Sequence, residues 1–194
     1  MKKIMFNDKY VLTQAVLDGR KTMTRRIIPK CTGIRYSPFV RSGIEDNHGY
    51  ELKPKYKIGE VVAIAQSYET IYHEKGLETL DMLVSNWKNS KGWNNKLFVR
   101  SDLMPHHIRI TNIKIERLQG ISDEDCLKEG IYRLDSANGN GGIAYSFVGA
   151  SEEKNIGLYP SPREAFITLI DKVSGKGIWE RNPFVWVYEF ELID

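Results

Sequence analysis

Apolar positions recur along this chain with periods that mark out helices and strands before anything else is considered. Val11, Leu12, Ala15 and Val16 fall on one helical stripe, with Asn7 and Asp8 ahead as capping residues and Gly19 behind, so a short helix is expected over residues 8–18. Residues 21–28 are rich in β-branched side chains and run into Pro29, which reads as a strand. Residues 61–68 are apolar enough for a central strand buried on both faces. A helix is expected near residues 77–87 and a short strand at 97–100. Ile108 and Ile110 alternate in phase, and Ile113 and Ile115 resume one residue out of phase, so a β-bulge at Thr111 and Asn112 would keep all four on one side. Ser122 precedes three acids and Gly130 follows, which frames another helix. Ser161-Pro162-Arg163-Glu164 is a capping box with proline at the first helical position. Phe184, Trp186, Tyr188, Phe190 and Leu192 alternate in a final strand, expected at the centre of a sheet or barrel. About six strands and three or four helices, not regularly interleaved, predict an α+β fold with a mixed barrel.

Composition narrows this only a little. At 194 residues, 41% hydrophobic and 27% charged, one folded domain over residues 1–194 is expected, with insertions near 30–55, 73–96 and 131–160. Cys31 and Cys126 are isolated, and His48, His73, His106 and His107 lack metal-site spacing, so neither a disulfide framework nor a metal or other cofactor is expected. No signal-like or membrane-length apolar run occurs, which points to a cytoplasmic protein with no membrane partner. Charge changes the picture more. The net +3 conceals 13 basic and 6 acidic side chains in residues 1–60 against 15 and 19 in the remainder. A basic end attracts polyanions that the average would hide.

The densest basic stretch is Asp18-Gly19-Arg20-Lys21-Thr22-Met23-Thr24-Arg25-Arg26, four cations and two hydroxyls directly after a helix stop. By itself it also reads as a turn with solvated charges. Three further segments accompany it: Tyr56-Lys57-Ile58-Gly59-Glu60-Val61, Ile121-Ser122-Asp123-Glu124-Asp125 running into Glu129-Gly130, and Trp179-Glu180-Arg181-Asn182-Pro183-Phe184. Together these resemble the ASCH domain family, of the PUA-like superfamily, in the form of a longer, phage-type member. The Gly-x-Lys-x-x-Thr-x-Arg signature falls on Gly19, Lys21, Thr24 and Arg26. Thr24 stands where the family often has glutamate, although small amidohydrolase members also carry threonine, and Ala65-Gln66 stands where many longer relatives read Arg-Glu.

The resemblance implies a PUA-like barrel with a cleft that binds RNA, a nucleotide or a modified nucleoside. Gly19, Arg20, Lys21, Arg25, Arg26, Gln66 and Tyr68 are the expected ligand-binding residues, the cations neutralising phosphates and Tyr36, Tyr68 or Trp93 offering a face for an unpaired base. As an alternative, it implies an amidohydrolase that removes the acyl group of N4-acetylcytidine with Lys21, Thr24 and Glu129, Thr24 being the nucleophile, Lys21 the base that accepts its proton and Glu129 the residue that orients the base or the substrate. Two conditions attach to that chemistry. Lys21 and Thr24 would face opposite sides of a regular strand, so they converge only if the chain is not yet extended at Lys21. A tight Lys21–Glu129 contact would keep Lys21 protonated and make Glu129 the base. A third reading is an assembly protein that binds a protein partner through the insertions.

Overall fold

A computed structural model describes residues 1–28, 33–76, 81–135, 142–147 and 157–193, with only the backbone considered at 81–84. The strands are β1 (Lys3–Ile4), β2 (Met23–Ile27), β3 (Arg35–Tyr36), β4 (Ile44–Glu45), β5 (Val61–Ile64), β6 (His107–Arg117), β7 (Tyr132–Leu134), β8 (Ala144–Ser146) and β9 (Phe184–Leu192). The helices are α1 (Leu12–Leu17), α2 (Tyr68–Glu74), α3 (Asp81–Lys88), α4 (Asp123–Lys128), α5 (Pro162–Ser174) and α6 (Ile178–Arg181). Five strands form one mixed sheet in the order β1-β5-β6-β9-β2, parallel only between β1 and β5. The pairs β3–β4 and β7–β8 are separate hairpins within the expected insertions, so these segments are not wholly loop. Residues 136–141 and 148–156 of the third expected insertion lie outside the described residues.

The sheet is not closed into a barrel. Among the described residues no strand pairing joins its edges, β1 and β2. A side chain does connect them: Arg26 on β2 donates from Nη2 to the carbonyl of Met5, just past β1, at 2.6 Å.

The spine is the long β6–β9 pair. Ile108, Ile110, Ile113 and Ile115 lie opposite Leu192, Phe190, Tyr188 and Trp186, and the register shifts between Ile110 and Asn112. The bulge is therefore where the isoleucine phase predicts it, and it keeps all four on one side. Strand β9 is interior, between the central strand β6 and the edge strand β2, and Val62, Ala63 and Ile64 of β5 are fully buried. Val62 and Ile64 join the main core, while Ala63 packs in a smaller cluster with Ala65, Tyr68, Ile71, Val99 and Met104.

Local hydrogen bonding accounts for the departures from the expected elements. Strand β5 stops at Ile64 rather than reaching Tyr68, because the Ser67 hydroxyl accepts from the amide of Thr70 and starts α2. Residues 96–98 form a 3-10 turn instead of a strand, with Asn95 Oδ1 accepting from the amide of Leu97. The first helix is split by Val11, which sits at φ 54° between a 3-10 turn and α1. The caps at Ser122 and Ser161 form as expected. No helix among the described residues is long and apolar enough to cross a membrane.

Ile110 is fully buried in the centre of this pairing. Ile110→Ala is expected to lower unfolding free energy by about 2–5 kcal/mol, read from urea denaturation.

Candidate functional site

Everything distinctive about the site begins in the connection from α1 to β2. Gly19 closes α1 at φ 71°, a conformation that favours glycine, and this turn aims the following backbone back at the helices. The amide of Lys21 then donates to the carbonyl of Ala15 at 2.8 Å, and that of Thr22 to the carbonyl of Lys128 at 3.0 Å. Strand β2 begins only at Met23, so Lys21 is outside the extended segment and the alternation rule does not separate it from Thr24.

Glu129 meets Lys21 from across the chain. It is the C-terminal cap residue of α4, and Gly130 at φ 102° turns the backbone away behind it. Lys21 Nζ lies 2.6 Å from Glu129 Oε2 and also donates to the Glu129 carbonyl at 2.7 Å. Both residues are buried, at 3% and 4% exposure, so Glu129 is not a solvated last-turn glutamate. Burial pulls the Lys21 pKa below its ordinary value, with Arg26 and Arg25 adding to the effect and Glu129 opposing it.

Arg25 completes a network. Its guanidinium donates to Glu116 Oε1 at 2.7 Å, Asp125 Oδ2 at 2.7 Å and Glu129 Oε1 at 3.2 Å. Burial works against its charge, but the carboxylates of Glu129, Glu116 and Asp125 outweigh it and raise the pKa. Lys114 also reaches Asp125 and Glu116, at 3.2 and 3.4 Å. Lys21, Arg25 and Lys114 are thus paired with Glu116, Asp125 and Glu129, and exposed Lys128 reaches Asp125 from the rim at 3.9 Å. Register explains the grouping: Arg25 and Lys114 both lie opposite Val187, from β2 and β6 respectively, and so share its face of the sheet.

Thr24 and Arg26 belong to the other face, opposite Tyr188 and Trp186. Lys21, Thr24 and Glu129 nevertheless line one cavity of about 370 Å³, walled by Phe6 and by Phe166 and Leu169 of α5. Among the described residues the Thr24 hydroxyl makes no hydrogen bond, so both its proton and its lone pairs are available to a ligand.

The remaining candidates are placed elsewhere. Arg20 is half-exposed and paired with Asp18 at 2.9 Å. Tyr68 is not a stacking platform: it is buried in the smaller core, stacked on Trp87 at 4.9 Å, with its hydroxyl accepting from the amide of Arg100. Trp93 packs against the same cluster, and exposed Tyr36 meets Phe184 edge-on at 5.3 Å. Gln66 lines a separate cavity of about 220 Å³ and donates to Glu74 at 2.8 Å.

Sequence reasoning missed Glu116, Asp125 and Lys114 as members of the cluster, and the apolar wall from α5. Alternation along β6 puts Lys114 and Glu116 on one face, which signals a pair but not its partner on β2. The acids at the start of α4 read equally well as dipole-complementing residues.

Burial would raise the Asp125 carboxyl, but the hydrogen bonds from Arg25 and Lys114 hold it below its ordinary 3.8. Its contribution to stability is therefore fully present above about pH 3.8 and lost as pH falls through the lowered value, because there the unfolded chain binds the extra proton. Asp125→Asn is expected to flatten the acid limb of stability against pH below about 4, measured by urea denaturation at stepped pH.

In comparison with known proteins, no family model, no curated protein and no solved structure matches this chain.

Proposed function

We propose that the cavity takes an N-acylated nucleoside of the N4-acetylcytidine type and hydrolyses its amide. The observation that carries this reading is that Lys21, Thr24 and Glu129 line one largely apolar cavity, with Lys21 and Glu129 in direct contact at 2.6 Å. The ASCH resemblance supports it through the same three residues. The mixed sheet, with Arg26 spanning its two edges, supports a PUA-like reading of the fold.

Charge balance favours a small ligand over a phosphate backbone at this point. Arg25 and Lys21 are buried and neutralised, and Arg20 is paired with Asp18, so three of the four cations after the helix stop already have carboxylate partners. A nucleic acid backbone would have to compete with them.

The chemistry follows from the contacts. Glu129, held by Arg25 on one oxygen, accepts the Thr24 proton as Thr24 Oγ1 bonds to the acyl carbon. The Lys21 ammonium faces the oxygen that gains charge. Its lowered pKa then lets it give a proton to the leaving exocyclic nitrogen as the C–N bond breaks, and the proton on Glu129 passes to Lys21 across the 2.6 Å contact. Water attacks the Thr24 ester, Glu129 takes its proton, and the carboxylic acid departs as Thr24 is reprotonated.

Thr24→Ala and Lys21→Ala are each expected to reduce cytidine release from N4-acetylcytidine by about 10²–10⁴-fold, with Thr24→Ser retaining part of it, measured by chromatography on variants whose folding is checked by circular dichroism. Full activity in Thr24→Ala would overturn the nucleophile assignment.

A further inference from the structure

Arg26 is the cation that the buried network leaves over. Its one hydrogen bond among the described residues goes to the Met5 carbonyl, and it forms no ion pair there. It stands between two cavities. The second, of about 290 Å³, shares Met5, Arg26 and Ile27 with the first and is otherwise lined by Lys3, Lys53, Lys55, Tyr56, Trp186 and Tyr188.

The lysines here differ in what they can offer. Lys3 is committed, its ammonium donating to the carbonyls of Leu97 and Val99 at 2.7 Å each. Lys55 is not. Its backbone is fixed at both ends, the amide donating to the Tyr188 hydroxyl at 2.9 Å and the carbonyl accepting from Lys2 at 2.6 Å. Its exposed side chain lies with Nζ 5.2 Å from the Tyr56 ring centre and has no carboxylate partner among the described residues. Lys53, two residues earlier across Pro54, is 75% exposed and only 3.5 Å from Glu51, a contact weak enough to exchange. The cavity therefore presents Arg26 and Lys55 without carboxylate partners among the described residues, and Lys53 in its exposed contact with Glu51, over a wall of Trp186, Tyr56 and Tyr188, which is a net positive field beside low-dielectric rings.

We infer that this second cavity is a phosphate subsite, so that the substrate is a phosphate-bearing nucleotide, with its acylated base beside Thr24 and its phosphate on Arg26, Lys55 and Lys53. This rests on the hydrolase reading for the base, while the phosphate contacts stand on the second cavity alone. The cations that meet phosphate are thus Arg26 of the signature and two lysines from the segment before Tyr56, not the buried Lys21 and Arg25. A mononucleotide and a single-stranded oligonucleotide carry the same group.

The test compares cytidine, cytidine 5′-monophosphate and a short single-stranded oligocytidylate by calorimetry, in the native chain and in Lys53→Ala/Lys55→Ala. Both substituted side chains are exposed, so folding is not at stake. Binding of the monophosphate is expected to be about tenfold tighter than that of cytidine, and the double variant should lose this advantage. A gain for the oligonucleotide beyond the monophosphate, with a log–log salt slope near −0.7 per phosphate, would identify the natural source as a strand; no gain would identify it as a mononucleotide. Equal affinity for cytidine and its monophosphate, or a phosphate advantage unchanged in the double variant, overturns the subsite. Turnover of N4-acetylcytidine, run in parallel, separates the two ideas. Hydrolysis without phosphate preference leaves the hydrolase reading and removes the subsite, whereas lysine-dependent phosphate preference without hydrolysis does the reverse.

Discussion

One buried carboxylate, Glu129, is shared between two buried cations, and much of the molecule is arranged around that fact. Its Oε2 holds Lys21 and its Oε1 meets Arg25, so the end of α4, the turn after α1 and the edge strand β2 are tied together at a single group. Removing charges from water costs several kcal/mol each, and such an arrangement persists only when every partner is present and hydrogen-bonded. Arg25 meets this demand through three carboxylates, and Lys21 through the side chain and carbonyl of one residue. Gly19 and Gly130 permit the turns that bring both chain segments close enough.

The same balance redistributes function along the surface. Charges paired internally are not available to a polyanion, so most of the basic stretch is internally balanced, and of its cations Arg26 alone lines the pocket without an ion pair among the described residues. Burial also makes the Lys21 proton easier to lose than that of a solvated lysine. Positive potential then accumulates elsewhere, where Arg26 and the lysines on either side of Pro54 lack equivalent partners. The proposed nucleophile Thr24 and the proposed phosphate-binding Arg26 therefore share one face of β2, while Arg25 is committed to the carboxylate network on the other.

Periodic signals proved reliable where the determinant was local. The bulge between Ile110 and Asn112, the interior place of β9 and the caps of α4 and α5 depend on side-chain alternation and on hydroxyls within three residues. Tyr68 was misplaced because an apolar run does not reveal that Ser67 ends the strand and starts a helix. The barrel reading stopped short for a related reason. Whether the edges of a sheet pair depends on their separation in space, and here Arg26 reaches across to Met5 in place of a strand ladder.

For the site itself, the sequence determined the chemical inventory: a lysine, a threonine and two arginines after a helix stop, and a glutamate before a helix-terminating glycine. Residues 108 positions apart carry no local signal of contact, so whether Lys21 and Glu129 met at all was decided by tertiary structure. The fold also set which cations were buried and neutralised and which stayed free. Periodicity specifies which face a side chain takes, but charge compensation depends on what stands opposite that face, and only packing of α4 and β6 against β2 supplies those partners.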